Sequence, residues 1–123
     1  MINNILLVGS GGALGSIARY VVQRRATVIY PASFPWGTFA VNIAGCFLIG
    51  LFWGIAFRSF ESIENWKLLL MTGFCGGFTT FSAFTLEGVG LLKEQKILLF
   101  FLYNAGSVVL GLSATFIGMK ITR

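Results

Sequence analysis

Nineteen uncharged residues run from Leu68 to Leu86, between Lys67 and Glu87. An α-helix rises about 1.5 Å per residue, so this run just crosses a hydrocarbon core of roughly 30 Å. Its middle holds a Gly-Gly pair at 76–77 and a Thr-Thr pair at 79–80, and both residue types are poor helix formers. The run therefore predicts a membrane span that is broken in mid-membrane.

Backbone groups freed by such a break must be satisfied by protein, water or a bound ion, because lipid offers no hydrogen bonds. Broken membrane helices therefore commonly mark ion or substrate sites. The alternative is that the glycines and threonines only let neighbouring helices approach closely. The density of Gly, Thr and spaced Phe between residues 73 and 84 favours a site.

Three further stretches can cross a bilayer, which makes four predicted spans: 4–22, 37–57, 68–86 and 97–119. The mean hydropathy of +0.85 and the low fraction of charged residues, 11%, exclude the soluble globular class. Four spans use most of the 123 residues and leave no room for a soluble catalytic domain. We expect one all-α membrane domain, residues 1–123, that is not an enzyme. The absence of histidine also removes the commonest general base and metal ligand.

The basic residues flank the predicted spans, so membrane anchoring explains the net charge of +5 more simply than nucleic-acid binding does. Orientation follows an imbalance of Lys and Arg between the two sides. The counts here are equal: Arg58, Lys67, Lys120 and Arg123 against Arg24, Arg25, Lys93 and Lys96. Equal counts predict insertion in both orientations and hence an antiparallel homodimer, and the alternative is a weak bias, for instance from Arg19.

Polar side chains inside the first two spans are candidates for an ion pathway. Arg19 is costly in lipid unless it reaches the interface, meets a partner or draws anions into a water-filled vestibule. Asn42 either bonds a neighbouring helix or offers its NH2 group to an anion, and Thr38 lies one turn earlier on the same face. Gly11 and Gly15 form a GxxxG face that favours close helix contact.

Two phenylalanines three residues apart, Phe81 and Phe84, follow the predicted break and share a helix face. Such residues usually pack or face lipid, but the edge of an aromatic ring is electropositive. Two ring edges along a narrow pore can therefore coordinate a small anion. Nearby hydroxyl groups are candidates for the same pathway: Ser82 and Thr85 on the third span, and Tyr103 and Ser107, one turn apart, on the fourth.

In these motifs the chain resembles the small dual-topology fluoride channels, the Fluc or CrcB family. The most specific motif is GFCGGFTTFSAF at 73–84, followed by Glu87. The resemblance implies an antiparallel homodimer in a bacterial inner membrane, with two pores that export fluoride passively and protect the cytoplasm. It implies that Phe81 and Phe84 contact fluoride, with Asn42 and Tyr103 supporting the pathway. Arg19 and Glu87 are assigned to the electrostatics of the vestibule.

The resemblance also implies a structural Na⁺ at the dimer centre, held by the backbone carbonyls of Gly76 and Thr79 from both subunits. One residue departs from the family pattern, since Ala83 stands where relatives usually carry Thr. The missing hydroxyl changes the polar track along the pore, and Ser82 and Thr85 are candidates to replace it.

Two other classes remain open as alternatives. A small multidrug exporter coupled to protons needs a membrane-embedded carboxylate, and the only acid near a span is Glu87, at the end of its span. A non-transporting assembly protein would not need Asn42, Phe81, Phe84 and Tyr103 together. Fluoride efflux from liposomes would separate the three classes.

Overall fold

The computed structural model describes residues 1–30, 33–58 and 63–122, and no residue in these ranges lies in a β-strand. The first two helices are α1 (Ile2–Ile29) and α2 (Trp36–Arg58). A composite helical run follows, made of α3 (Ile63–Trp66), a π-helical segment (Lys67–Cys75), α4 (Gly76–Phe78) and α5 (Phe81–Lys93), and the last helix is α6 (Ile97–Thr122). The helices α1, α2 and α6 and the composite run are each long and apolar enough to cross a membrane, which confirms the predicted all-α architecture with four spans.

Two helical segments extend beyond the predicted spans. The first predicted span ends at residue 22, but α1 continues through the polar connection expected after it to Ile29. The third predicted span begins at residue 68, but the chain is helical from Ile63, within the polar connection expected before it. Polar side chains at head-group level do not end a helix, so the end of an apolar run is not the end of the helix. Glu61 of the second connection, and Arg123 of the charge count, lie outside the described residues.

Helix α1 packs along the π-helical segment and α4, and α2 packs along α6. A methyl group on Gly11 would overlap the carbonyl oxygen of Leu69, and one on Gly15 would overlap the carbonyl oxygen of Phe74. Only glycine allows backbones to approach so closely. The predicted GxxxG contact face on α1 is therefore confirmed.

The backbone between α4 and α5 is extended. Thr79 has φ −85° and ψ 158°, and Thr80 has φ −150° and ψ 123°. β-branched residues favour this conformation. The glycines at 76 and 77, which the sequence placed in the same break, are helical. Gly77 serves close packing instead, because a methyl group there would lie 2.5 Å from the carbonyl oxygen of Gly12.

The π-helical segment was not predicted from the sequence. It covers nine residues, Lys67–Cys75, whereas π-helices mostly occur as single turns and often near functional sites. Gly73 within it packs directly on Gly11 of α1. The segment therefore sets how α4 and the extended residues after it lie against the first helix.

Candidate functional site

The side chain of Asn42 on α2 holds the extended segment. Its Oδ1 accepts a hydrogen bond from the Thr80 N–H at 2.8 Å, and its Nδ2 donates to the Thr80 carbonyl at 3.1 Å. A neighbouring helix thus supplies hydrogen bonds that an uninterrupted α-helix would have made internally. The sequence left open whether Asn42 bonds a helix or an anion, and the structure shows the helix contact. The contact uses one of the two amide N–H groups, so binding of an anion by the other N–H stays a prediction.

Two further contacts satisfy the backbone on either side of the extended residues. The Thr80 Oγ1 accepts a hydrogen bond from the Ala83 N–H at 3.1 Å and so caps the start of α5. The Arg19 Nε donates to the carbonyl oxygen of Gly77 at 3.0 Å. Arg19 therefore has a partner inside the protein, at a helix end where exposed carbonyls favour a positive charge.

Three aromatic side chains form a row, which we call the aromatic row: Phe81, Phe84 and Tyr103. The ring centroids of Phe81 and Phe84 are 5.9 Å apart, and those of Phe84 and Tyr103 are 5.0 Å apart. Phe81 is 77% exposed, whereas Tyr103 is fully buried. The aromatic row therefore leads from the surface of the single chain into its interior.

The carboxylate of Glu87 lies where four helices meet. It accepts hydrogen bonds from the Thr38 hydroxyl at 2.5 Å and from the Tyr103 hydroxyl at 3.4 Å. The Gln23 amide in turn donates to the Thr38 Oγ1 at 2.9 Å. Sequence reasoning missed Gln23, although it lies one turn after Arg19 on the same face of α1. The two ion pairs among the described residues, Lys67–Glu64 and Lys96–Glu94, do not involve Glu87.

The remaining predicted hydroxyl groups lie in two different environments. The Ser107 Oγ is buried and has no hydrogen-bond partner among the described residues. Ser82 and Thr85 are exposed on α5, and their hydrogen-bond partners are local: the Ser82 Oγ lies 3.4 Å from the Thr80 Oγ1, and the Thr85 Oγ1 donates to the Ser82 carbonyl at 3.0 Å. Of these three hydroxyl groups, that of Ser107 is the buried one with no partner in the described part of the chain.

The two residues predicted to bind Na⁺ present carbonyl groups without donors. Within the described ranges no hydrogen bond reaches the carbonyl oxygen of Gly76 or Thr79, since Asn42 takes the Thr80 N–H. Gly76 is exposed, and nothing lies within 4 Å of the position of a Cβ there. These ranges also hold no group of three His, Cys, Asp or Glu that could bind a metal. A metal at this position would depend on backbone oxygens.

A cavity of about 530 Å³ opens beside the carboxylate of Glu87. Gln23, Thr38 and Glu87 belong to its polar lining, and Ala83 lines the same cavity. The cavity gives the buried hydrogen-bonded cluster of Thr38, Glu87 and Tyr103 access to the surface of the chain.

Comparison with known proteins identifies the family. The family model described as "CrcB-like protein, Camphor Resistance (CrcB)" matches residues 6–119. The chain is 47% identical over 118 residues to a fluoride-specific ion channel FluC of Rhizobium etli, across 96% of this chain and 94% of the relative. The chain belongs to the CrcB-like family. This CrcB-like protein is also 48% identical to a FluC of Chlorobium luteolum, across 94% of the chain and 89% of the relative. A FluC of Nitratidesulfovibrio vulgaris is 44% identical, with 97% and 96% covered.

Family membership confirms the resemblance seen in the sequence motifs. Together with the four apolar helices, it makes this CrcB-like chain an integral multi-pass membrane protein. The relatives are named ion channels, which are not enzymes, in agreement with the expectation from composition.

Proposed function

We propose that this CrcB-like protein is a fluoride-specific ion channel that lets fluoride leave the cell passively and so protects it from fluoride. The observation that carries the proposal is the 47% identity, over almost the whole of both chains, with a relative named for this activity. The four apolar helices and the polar and aromatic groups between them support it, because they provide a membrane crossing with hydrogen-bond donors inside.

The fluoride pathway follows the aromatic row. Fluoride is small and strongly hydrated, so a pore must replace its water with electropositive groups, and the edges of Phe81 and Phe84 are such groups. The second amide N–H of Asn42 and the hydroxyl of Ser107, which has no partner among the described residues, add hydrogen-bond donors. Tyr103 closes the row and connects it to Glu87.

The hydroxyl groups of Ser82, Thr85 and Thr38 complete the polar track of this pathway. Because Ala83 stands where relatives usually carry Thr, the track lacks one hydroxyl group. The hydroxyl of the adjacent Ser82 takes its place. Arg19 and Glu87 set the electrostatics of the vestibule, the one through a positive charge near the end of α4 and the other through a carboxylate beside the cavity.

The functional unit is an antiparallel homodimer with two pores. Phe81 is 77% exposed in a single chain, so it can line a water-filled pathway only where a second copy covers it. Four basic residues on each side of the membrane favour insertion in both orientations. In this arrangement the extended residues at 79–80 lie within the membrane and near the same residues of the partner.

A structural Na⁺ at the dimer centre fits the donor set of the extended segment. The carbonyls of Gly76 and Thr79 lack hydrogen-bond donors among the described residues, and oxygen is the ligand that a hard cation prefers. Two copies would contribute four such oxygens. When bound, the ion would supply the positive charge that holds these carbonyls together, while Asn42 and Arg19 hold the neighbouring backbone groups.

The experiment is fluoride efflux from liposomes that contain the purified protein, followed with a fluoride electrode after a potassium ionophore is added. We expect rapid efflux of fluoride from liposomes loaded with potassium fluoride and none of chloride from matched liposomes loaded with potassium chloride. The rival proton-coupled exporter would instead move an organic cation against a proton gradient. Absence of fluoride efflux from correctly folded protein would reject the channel function.

A further inference from the structure

A second cavity, of about 510 Å³, lies between α1 and α2. It shares Ala26, Tyr30 and Trp36 with the lining of the cavity beside Glu87 and differs from that cavity in its other residues. Four aliphatic side chains line it, Val21, Val22, Ala26 and Ala40, together with two aromatic rings and one guanidinium group, that of Arg25. No acidic residue belongs to this lining, whereas Glu87 and Glu94 both line the first cavity.

This second cavity lies at the end of the first predicted span, residues 4–22. Helix α1 continues beyond that span to Ile29. An α-helix crosses a hydrocarbon core of about 30 Å in about 20 residues, so a core that begins at residue 4 ends before Arg25. The two aromatic rings are those of Tyr30 and Trp36, which are 57% and 47% exposed. Both residue types are enriched at the boundary between lipid and water.

The charge of Arg25 is not neutralised by the described part of the chain, where no hydrogen bond or ion pair to its guanidinium is found. The preceding residue, Arg24, donates to the Tyr20 hydroxyl at 3.1 Å and does not line the cavity. A guanidinium binds phosphate oxygens with two parallel hydrogen bonds. The aliphatic wall beside it offers an apolar surface to an acyl chain.

We propose that the second cavity is a binding site for one anionic phospholipid, whose phosphate contacts Arg25 and whose acyl chain packs against Val21 and Ala40. A head group with a net negative charge fits better than a zwitterionic one, because the ammonium of the latter would lie near Arg25 without an acidic partner in the lining. The proposal does not depend on fluoride transport.

The test is native mass spectrometry of the detergent-purified protein titrated with the anionic lipid POPG or the zwitterionic lipid POPC. We expect saturable binding of POPG at least tenfold tighter than that of POPC. Arg25→Gln should weaken POPG binding at least tenfold. The matched control Arg24→Gln removes the same charge from the adjacent residue, and we expect a loss of about fivefold at most, since a basic residue near an anionic surface contributes about 1 kcal/mol. Ala40→Leu places a larger side chain in the cavity and leaves both arginines in place, so it should also weaken POPG binding.

Three results would overturn the proposal. Equal losses for Arg24→Gln and Arg25→Gln would mean that POPG responds to net charge and not to the cavity. Equal binding of POPG and POPC would mean that the head group is not recognised. Efficient disulfide cross-linking between two chains that carry Val21→Cys would mean that a second copy, and not a lipid, covers the cavity. Size-exclusion chromatography and far-UV circular dichroism of each variant establish that the comparisons are made between folded proteins.

Discussion

Replacing Asn42 by alanine tests how the extended residues between α4 and α5 are held. The two hydrogen bonds between the Asn42 amide and the backbone of Thr80, at 2.8 and 3.1 Å, are the contacts at stake. Asn42→Ala removes both and leaves the Thr80 N–H and carbonyl without partners. Because the backbone at Thr79 and Thr80 is extended, no helical hydrogen bond is available in their place.

The size of the effect follows from those two backbone groups. Hydrogen bonds between membrane helices average about 0.6 kcal/mol, so the loss of two gives a lower limit of about 1.2 kcal/mol. An unsatisfied polar group costs about 1–3 kcal/mol when it is fully buried, and the two Thr80 groups that Asn42→Ala leaves are partly buried. We therefore expect the free energy of unfolding to fall by about 2–4 kcal/mol.

Asn104→Ala is the matched control. The Asn104 amide donates at 2.8 Å to the carbonyl of Phe100, within the same helix α6, so its removal leaves no helical group unpaired. We expect a loss under about 1 kcal/mol for this variant. Unfolding in mixed micelles titrated with SDS, followed by far-UV circular dichroism, measures both variants on one scale. If Asn42→Ala and Asn104→Ala differ by less than about 1 kcal/mol, the Asn42 contact does not hold the extended segment.

Three further predictions concern the proposed channel. Phe81→Ile and Phe84→Ile should keep the folded dimer but lower fluoride efflux by orders of magnitude, since each 1.4 kcal/mol added to a barrier is about tenfold in rate; efflux at wild-type rates would reject coordination by ring edges. Exchanging Na⁺ for N-methyl-D-glucamine should impair dimer assembly or efflux, whereas Thr79→Val should be tolerated because the proposed ligand is a backbone oxygen. Dimers and efflux that do not change after long dialysis would speak against the sodium site. Two lysines added to one terminus should lower efflux when that variant is expressed alone, and co-expression with an oppositely biased variant should restore it; full efflux from a uniformly oriented population would contradict the antiparallel dimer.

The fold class could be predicted from the sequence because lipid allows few solutions. A chain with four long apolar stretches has to satisfy its backbone groups internally, and helices do so. The close contact of α1 was readable for a similar reason, since Gly11 and Gly15 are spaced one turn apart and leave room for another backbone. The π-helical segment could not be predicted from the sequence, because a π-helix differs from an α-helix in hydrogen-bond register and not in residue type.

The position of the extended residues was predicted only in part. Poor helix propensity marked both the Gly pair at 76–77 and the Thr pair at 79–80, but only the threonines leave the helix. Gly77 stays helical, and because it has no side chain its backbone packs closely against Gly12. Propensity is a local property, and packing against α1 decided between the two pairs.

The sequence by itself indicated that Asn42 needs a partner, and that Arg19 needs a partner, the interface or a water-filled vestibule, because polar groups are costly in lipid. It did not determine which partners they have. Only the tertiary structure pairs Asn42 with Thr80 and Arg19 with Gly77, residues 38 and 58 positions apart in the chain. The physical reason is that α1, α2 and α6 are nearly as apolar on one side as on the other, so that hydrophobic periodicity does not reveal which faces meet. The meeting of four helices at the Glu87 carboxylate depends on contacts between separate helices, such as Gln23 with Thr38 and Thr38 with Glu87, and no single segment contains both partners.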